Sequence, residues 1–266
     1  MELICPICGM PLQRQEREYR CCNRHSFDIA RQGYVNLLTV QQKKSLHPGD
    51  TREQVLSRRS FLDSGFYAPI ADTLCETARE LGAKGPILDI GCGEGYYSTK
   101  LASALEAELT GLDISKEAVR VAAAKYKNAL WLCGTAAHLP LADGSAGCIT
   151  SLFALTMPEE FRRVLAPDGL YFQMLAAQDH LLGLKSIIYP ELTLKEKDSV
   201  PTLPGFELLR TVPIRFTFTV TGEQVQNLLS MTPHVYRISK DGAQRLAATE
   251  TLTDTASAVL NIFRPL

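Results

Sequence analysis

From Pro86 onward the chain alternates short apolar runs with segments whose apolar residues recur at helical spacing. The runs are PILDI, ELTGLDI, ALWLCG, AGCITSLF and GLYFQML, and SKEAVRVAAAKY and MPEEFRRVLAPDG lie between them. Strand–helix–strand order of this kind predicts an α/β fold with a mostly parallel sheet covered on both faces. Upstream, TREQVLSRRSFLDSGFYAPIADTLCETARELGA reads as helical, capped at Asp50/Thr51, with Pro69 opening a second helix. Downstream of Leu175 the pattern predicts a helix in QDHLLGLKSIIY, a loop to Gly205, strands in FELLRTV and RFTFTV, a helix in GEQVQNLLSM and a last strand in SAVLNIFR. Residues 1–30 are polar and read as turns and short strands. RQGYVNLLTVQQKK reads as a connector and HPGD as a turn. No repeat or low-complexity tract interrupts this order.

Composition fits a globular chain with a core: 266 residues, 45% apolar and 21% charged. No run of 18 apolar residues is present, which predicts no membrane span. Positions 1–30 lack the apolar stretch of a secretory leader, so a cytoplasmic protein is expected. Net charge is −1, but residues 1–60 hold ten Lys/Arg against six Asp/Glu, leaving the remainder acidic. Such a split is compatible with polyanion binding at the front end only.

In a reducing compartment, clustered cysteines more often hold metal than a disulfide. Cys5-x2-Cys8 and, twelve residues on, Cys21-x3-His25 have the number and softness of ligands for tetrahedral Zn2+. Four protein ligands leave no open position, so the metal is expected to be structural. Cys22-x2-His25 is a second conceivable pairing, although the Cys21 spacing is the more usual. Cys75, Cys92, Cys133 and Cys148 fall in helix or strand contexts and are expected to pack.

ILDIGCGEGYYS runs from a strand through a tight turn into a helix, with Gly91, Gly93 and Gly95 removing the Cβ atoms a ligand would meet. The pattern suits a dinucleotide or S-adenosyl-L-methionine. Asp89, two positions before the first glycine, and the G-x-G-x-G spacing favour the latter. Asp113, 22 residues after Gly91, is placed to accept from ribose hydroxyls in either case. In the following loop, LCGTAAHLPLADGS, Thr135 and Ala136 stand where an acid often meets the adenine amine, so backbone groups are expected to read the adenine. The fourth strand continues as SLFALTMPEE, without the Asn/Asp-Pro-Pro-Tyr/Phe of exocyclic-amine methylation or the Pro-Cys of pyrimidine C5 methylation.

CPIC, the following CxxxH, FDIARQGYVNLL, PGD, RRSFLDSGFYAP, LDIGCGEGYY, GLDIS, LKSIIY and LLSMTP together resemble one family. It is the bacterial zinc-containing 23S rRNA (guanine-N1)-methyltransferases, which modify a guanine in a hairpin near the peptide exit tunnel. The resemblance spans nearly the whole chain. It implies a zinc-binding, rRNA-recognising module over 1–40, a helical connector over 41–75 and a class I (Rossmann-like) methyltransferase domain over 76–266, arranged as a homodimer. It also implies zinc at Cys5, Cys8, Cys21 and His25. Tyr67, Gly93, Glu94, Gly95, Tyr96, Tyr97 and His180 match positions that line the cofactor.

Methylating guanine N1 requires removal of its proton, or stabilisation of charge at O6, and an unpaired or flipped base. Glu159, Glu160, His138 and Asp143 are acid/base types expected beside the pocket, and none is singled out. Arg14, Arg17, Arg20 and Arg24 surround the metal ligands as a phosphate-contacting face would require. Alternatives are a small-molecule methyltransferase with a zinc knuckle, and a non-enzymatic RNA-binding factor.

Overall fold

The computed structural model describes residues 1–43, 45–46, 48–192 and 199–266. The chain opens with a small antiparallel sheet, β1 (Gln13–Arg14), β2 (Glu18–Arg20) and β3 (Ser26–Asp28). Next comes β4 (Tyr34–Asn36), then helices α1 (Arg52–Asp63) and α2 (Ala68–Glu80). Thr51 caps α1, its hydroxyl accepting from the Gln54 amide while the Gln54 side chain returns to the Thr51 amide, a reciprocal capping box. Pro69 sits in the first turn of α2, where a missing N–H costs nothing.

The alternating region folds as β5 (Ile87–Ile90), α3 (Tyr96–Leu105), β6 (Leu109–Asp113), α4 (Lys116–Lys125), β7 (Leu130–Cys133), β8 (Ala146–Leu152), α5 (Pro158–Val164) and β9 (Leu165–Ala176). α6 (Leu182–Ile188), β10 (Phe206–Thr221), α7 (Glu223–Ser230), α8 (Lys240–Ala247) and β11 (Thr251–Pro265) complete the chain. One eight-stranded sheet results, in the order β10-β11-β9-β8-β5-β6-β7-β4. Strands from β9 to β4 run parallel, and β11 and β10 add antiparallel. The strand order reverses between β5 and β8, which places a crevice beyond their carboxyl ends.

The two faces are covered differently. One carries α2, α3, α4, α6 and α7, with Ile70, Leu74, Leu101, Val119, Leu184 and Leu228 packed on Ile87 and Phe172. The other is covered by α5 and by the N-terminal module itself. Leu3, Leu12, Tyr19, Val35 and Leu37 share one core with Leu88, Ile90, Leu112, Leu132 and Ile149. Full burial of such a side chain stabilises by about 1.5–3 kcal/mol. The first forty residues are therefore attached through a common core as well as by chain connectivity. Main-chain contacts add to this: the Ile4 amide donates to the Pro140 carbonyl at 3.0 Å, and the Ala142 amide to the Glu2 carbonyl at 3.1 Å.

Three elements differ from the sequence pattern. GYVNLL supplies β4, which pairs parallel with β7 through Tyr34↔Trp131 to Asn36↔Cys133, where a connector is expected. Its three residues are too short for periodicity to register. FELLRTV and RFTFTV form one continuous strand through Pro213, which is tolerated because β10 is an edge. α8 is not apparent from a polar segment interrupted by Gly242. A Cβ there would come within 2.2 Å of the Ile188 carbonyl oxygen, so the glycine permits α8 to close on α6.

Candidate active site and metal centre

In the N-terminal module the ligand atoms of Cys5, Cys8, Cys21 and His25 lie within 4.8 Å of one another. Cys8 and Cys21 sulfurs are 3.7 Å apart, and His25 Nδ1 is 3.5 Å from the sulfurs of both Cys5 and Cys21. A tetrahedron with Zn–S of about 2.3 Å and Zn–N of about 2.0–2.1 Å has edges of roughly 3.5–3.8 Å, which these three separations match, so the chemistry and spacing of the donors fit zinc. Two tight turns present the ligands. Gly9 N–H returns to the Cys5 carbonyl, and Arg24, in the left-handed region at φ 65, donates to the Cys21 carbonyl. The hydrogen bond from the Met10 amide, helped by the Asn23, His25 and Cys5 side chains, lowers the Cys8 thiol to about 6, toward the thiolate a metal needs. Cys22 is exposed and outside the group. Cys75, Cys92, Cys133 and Cys148 are buried, and burial pushes the Cys133 thiol up to about 11.

The glycine turn follows β5. Gly91, Gly93 and Gly95 all have positive φ. Gly95 also needs space, since a Cβ would stand 2.6 Å from the buried indole of Trp131. A Cβ on Gly93 would meet only Arg58 Cδ, at 3.8 Å, so the turn is open on that side. At the end of β6, Asp113 accepts from the Gly93 amide at 2.9 Å and the Ser115 amide at 2.8 Å. Burial of its carboxyl raises its pKa, opposed by these two amides. Asp89 lies beneath the turn, its oxygens taken by the hydroxyls of Ser98 and Thr150, with burial raising it to about 6. It ties β5 to α3 and β8.

Glu94 is 1% exposed, and neither carboxylate oxygen has a hydrogen-bond partner among the described residues. Desolvation raises it to about 7, partly offset by Lys125. The buried Tyr97 hydroxyl likewise has no partner among the described residues, whereas the Tyr96 ring lies under Lys100. Thr135 turns back on its own loop, accepting from the Ala137 amide at 3.2 Å.

Beside this turn opens a cavity of about 750 Å3. Ala154 forms the junction: a Cβ on Gly91 would come within 2.6 Å of it. Tyr67 and His180 both line the cavity, with Tyr67 Oη 3.5 Å from His180 Nε2 and the Ser257 amide donating to His180 Nδ1 at 3.1 Å. That amide sets the tautomer: Nδ1 accepts, so Nε2 carries the proton toward Tyr67. The far wall comes from Lys185 and Tyr189 of LKSIIY and from Met231–His234, which begins in LLSMTP. Tyr189 Oη is 2.8 Å from His234 Nδ1.

None of the four acid/base types expected beside the pocket lines this cavity. Glu160 and Asp143 instead pair with Arg163, and Glu160 accepts from the Leu139 amide. His138 and Glu160 edge a smaller hollow next to Cys5. These side chains hold the loop after β7 against α5 and the metal module. Asp254, which the sequence did not bring forward, is buried in β11 and accepts from the Gly183 and Leu184 amides.

The sheet order, the glycine turn at its switch point and the acid ending the next strand define a class I S-adenosylmethionine-dependent methyltransferase carrying a structural zinc module. Residues 3–46 match the zinc-ribbon family described as RlmA, N-terminal, and residues 87–169 match a methyltransferase domain. A 23S rRNA (guanine(748)-N(1))-methyltransferase of Streptomyces fradiae is 36% identical over 99% of this chain and 97% of its own length. A protein of Micromonospora griseorubida, provisionally named a 23S rRNA (guanine-N(1)-)-methyltransferase, is 34% identical over 99% and 97%. The fold is also that of a solved Anaeromyxobacter dehalogenans protein, provisionally a type II methyltransferase. Its TM-score is 0.51 at 19% identity, over 71% of this chain and 95% of that one. The chain belongs to the zinc-containing 23S rRNA (guanine-N1)-methyltransferase family. No helix among the described residues is long and apolar enough to cross a membrane.

Proposed function

We propose that this protein methylates N1 of a guanine in 23S rRNA, in a hairpin near the peptide exit tunnel, working in the cytoplasm as a homodimer. The observation that carries this reading is the composition of one cavity. One side is formed by Tyr67, His180 and Ala154, the last of which abuts Gly91 of the glycine turn, and another by residues of LKSIIY and MTP, segments that carry the family resemblance.

Bound S-adenosylmethionine supplies an already activated sulfonium methyl. The chain's own residues then have to bind, align and exclude water. The open backbone at Gly91–Gly95 would hold its amino-acid end, and Asp113 would accept from its ribose hydroxyls. Tyr67 and His180, hydrogen-bonded to each other, form the wall where donor and acceptor meet. Cys5, Cys8, Cys21 and His25 are the residues that would hold the zinc, whose turn carries Arg24, while Arg14 in β1, Arg17 in the following loop and Arg20 in β2 are exposed on the same module. Among the described residues, Arg20 pairs with Glu18, while Arg14, Arg17 and Arg24 form no ion pair and remain available to phosphates.

The test is a nucleotide-resolution map of methylated guanines in 23S rRNA from cells with and without this protein. One N1-methylguanine should vanish with the protein and return on complementation. An unchanged map excludes the reading.

A further inference from the structure

Phe153 follows the last residue of β8, with its amide donating to the Met174 carbonyl at 2.9 Å. It has φ 55, a left-handed conformation that a bulky side chain adopts only against a steric cost. It is also 39% exposed, whereas Phe61, Phe161 and Phe172 are fully buried. A phenylalanine that served packing alone would need neither feature. What the unusual backbone achieves is placement: the ring stands in the wall of the 750 Å3 cavity, next in the chain to Ala154, which abuts Gly91 of the glycine turn. His180 flanks it at 6.0 Å between ring centroids, tilted by 31°.

The rest of the cavity is polar in a particular way. Lys185, Arg237, Glu191 and the hydrogen-bonded Tyr189–His234 pair line it, offering donors and acceptors around an aromatic surface. A flat apolar face ringed by such groups suits a nucleobase removed from its stack, which needs a π surface in exchange for its lost neighbours. Because every base has a π face, the platform holds the base without selecting it, and selection falls to the surrounding polar groups.

We infer that Phe153 is the stacking platform for the methyl-accepting base, a substrate-positioning residue beside the donor site. This rests on the proposed rRNA methylation and adds to it the surface that receives the flipped guanine. Its ring fixes the plane of the base, so that a ring nitrogen on the pairing edge can lie in line with the donor.

The test compares Phe153→Leu, which keeps apolar bulk without a π face, with Phe153→Tyr, which keeps the ring. Two quantities are measured on each: S-adenosylmethionine affinity by calorimetry, and steady-state methylation of 23S rRNA from cells lacking the protein. Phe153→Leu should lower kcat/KM for rRNA by about ten- to a hundred-fold, the usual effect of losing one base–aromatic stack. Its donor affinity should stay at the wild-type value, which also reports a folded site, and Phe153→Tyr should retain rRNA kinetics. Equal rRNA kinetics for Phe153→Leu and wild type overturn the inference while leaving the proposed function standing. A loss of donor affinity in both variants also overturns it, by making Phe153 part of the cofactor wall. If the wild-type protein itself leaves that rRNA unmethylated, the proposed function fails, and with it the inference.

Discussion

Asp254 and Leu184 are joined by a 2.6 Å hydrogen bond from the Leu184 amide to the carboxylate, whose other oxygen takes the Gly183 amide at 2.9 Å. A residue of the last strand thus satisfies the first turn of α6, the helix that brings Lys185 and Tyr189 to the cavity. Neither amide has an intrahelical acceptor, as is general for the first turn of a helix. Asp254→Asn leaves one of them facing an amide nitrogen in a buried position, which should cost about 1–3 kcal/mol. Thermal unfolding should show the fall in Tm, and Asp254→Ala should lower it further.

The metal module gives a sharper contrast. Metal analysis should find one zinc per chain in the wild type and in Cys22→Ser, since Cys22 lies outside the donor group. Cys8→Ser should lose it. In isolated zinc-finger peptides metal binding is worth on the order of 10–16 kcal/mol and the apo form is unfolded. Here Leu3, Leu12 and Tyr19 are also anchored in the sheet core. Chelation should therefore lower the Tm and expose the module to proteolysis, while the sheet-borne far-UV signal persists.

Glu94 makes stability depend on pH in the direction opposite to a salt-bridged acid. Its folded pKa, about 7, lies above its unfolded value, so the folded state binds the proton more tightly. Its contribution is fully present below about pH 4 and is lost as pH rises through about 7. Glu94→Gln removes the charge and should be the more stable protein at pH 8, by on the order of 3 kcal/mol. At pH 4 the two should agree. Asp89, raised to about 6, leaves a smaller slope of the same sign in the variant. Denaturant midpoints across pH 4–8 read the difference.

Four exposed arginines of the N-terminal module invite a charge test. Replacing Arg14, Arg17, Arg20 and Arg24 together with glutamine should weaken 23S rRNA binding and flatten its salt dependence. Each lost phosphate contact removes about 0.7–0.9 from the log–log slope, so the expected change is about 3. Donor affinity should be unchanged. A slope equal to that of the wild type would show that these side chains do not contact phosphates.

Much of this was legible in the residues. G-x-G-x-G after an apolar run, an acid ending the next run, and the Cys-x2-Cys and Cys-x3-His spacings are local patterns. The structure brings Tyr67 and His180, 113 positions apart, to one cavity. What local pattern does not carry is pairing between distant segments. The acids Glu160 and Asp143 resemble loop catalysts until Arg163 is seen between them. Asp254 sits among threonines in a stretch that reads as polar, and only the fold reveals the helix it caps. Phe153 reads as the end of a strand, since no periodicity signals a left-handed backbone.

The short strand β4 has a bearing on how the chain is made. Tyr34–Asn36 leave the ribosome nearly a hundred residues before their partners Trp131–Cys133. Synthesis runs at about 5–20 residues per second, so the head must wait several seconds for its place in the sheet. Its own short strands bury too little to hold a shape over that interval. Capturing the ion early gives the newborn N-terminus a finished edge to offer when β7 arrives, and withholding zinc during translation should harm folding more than removing it afterwards.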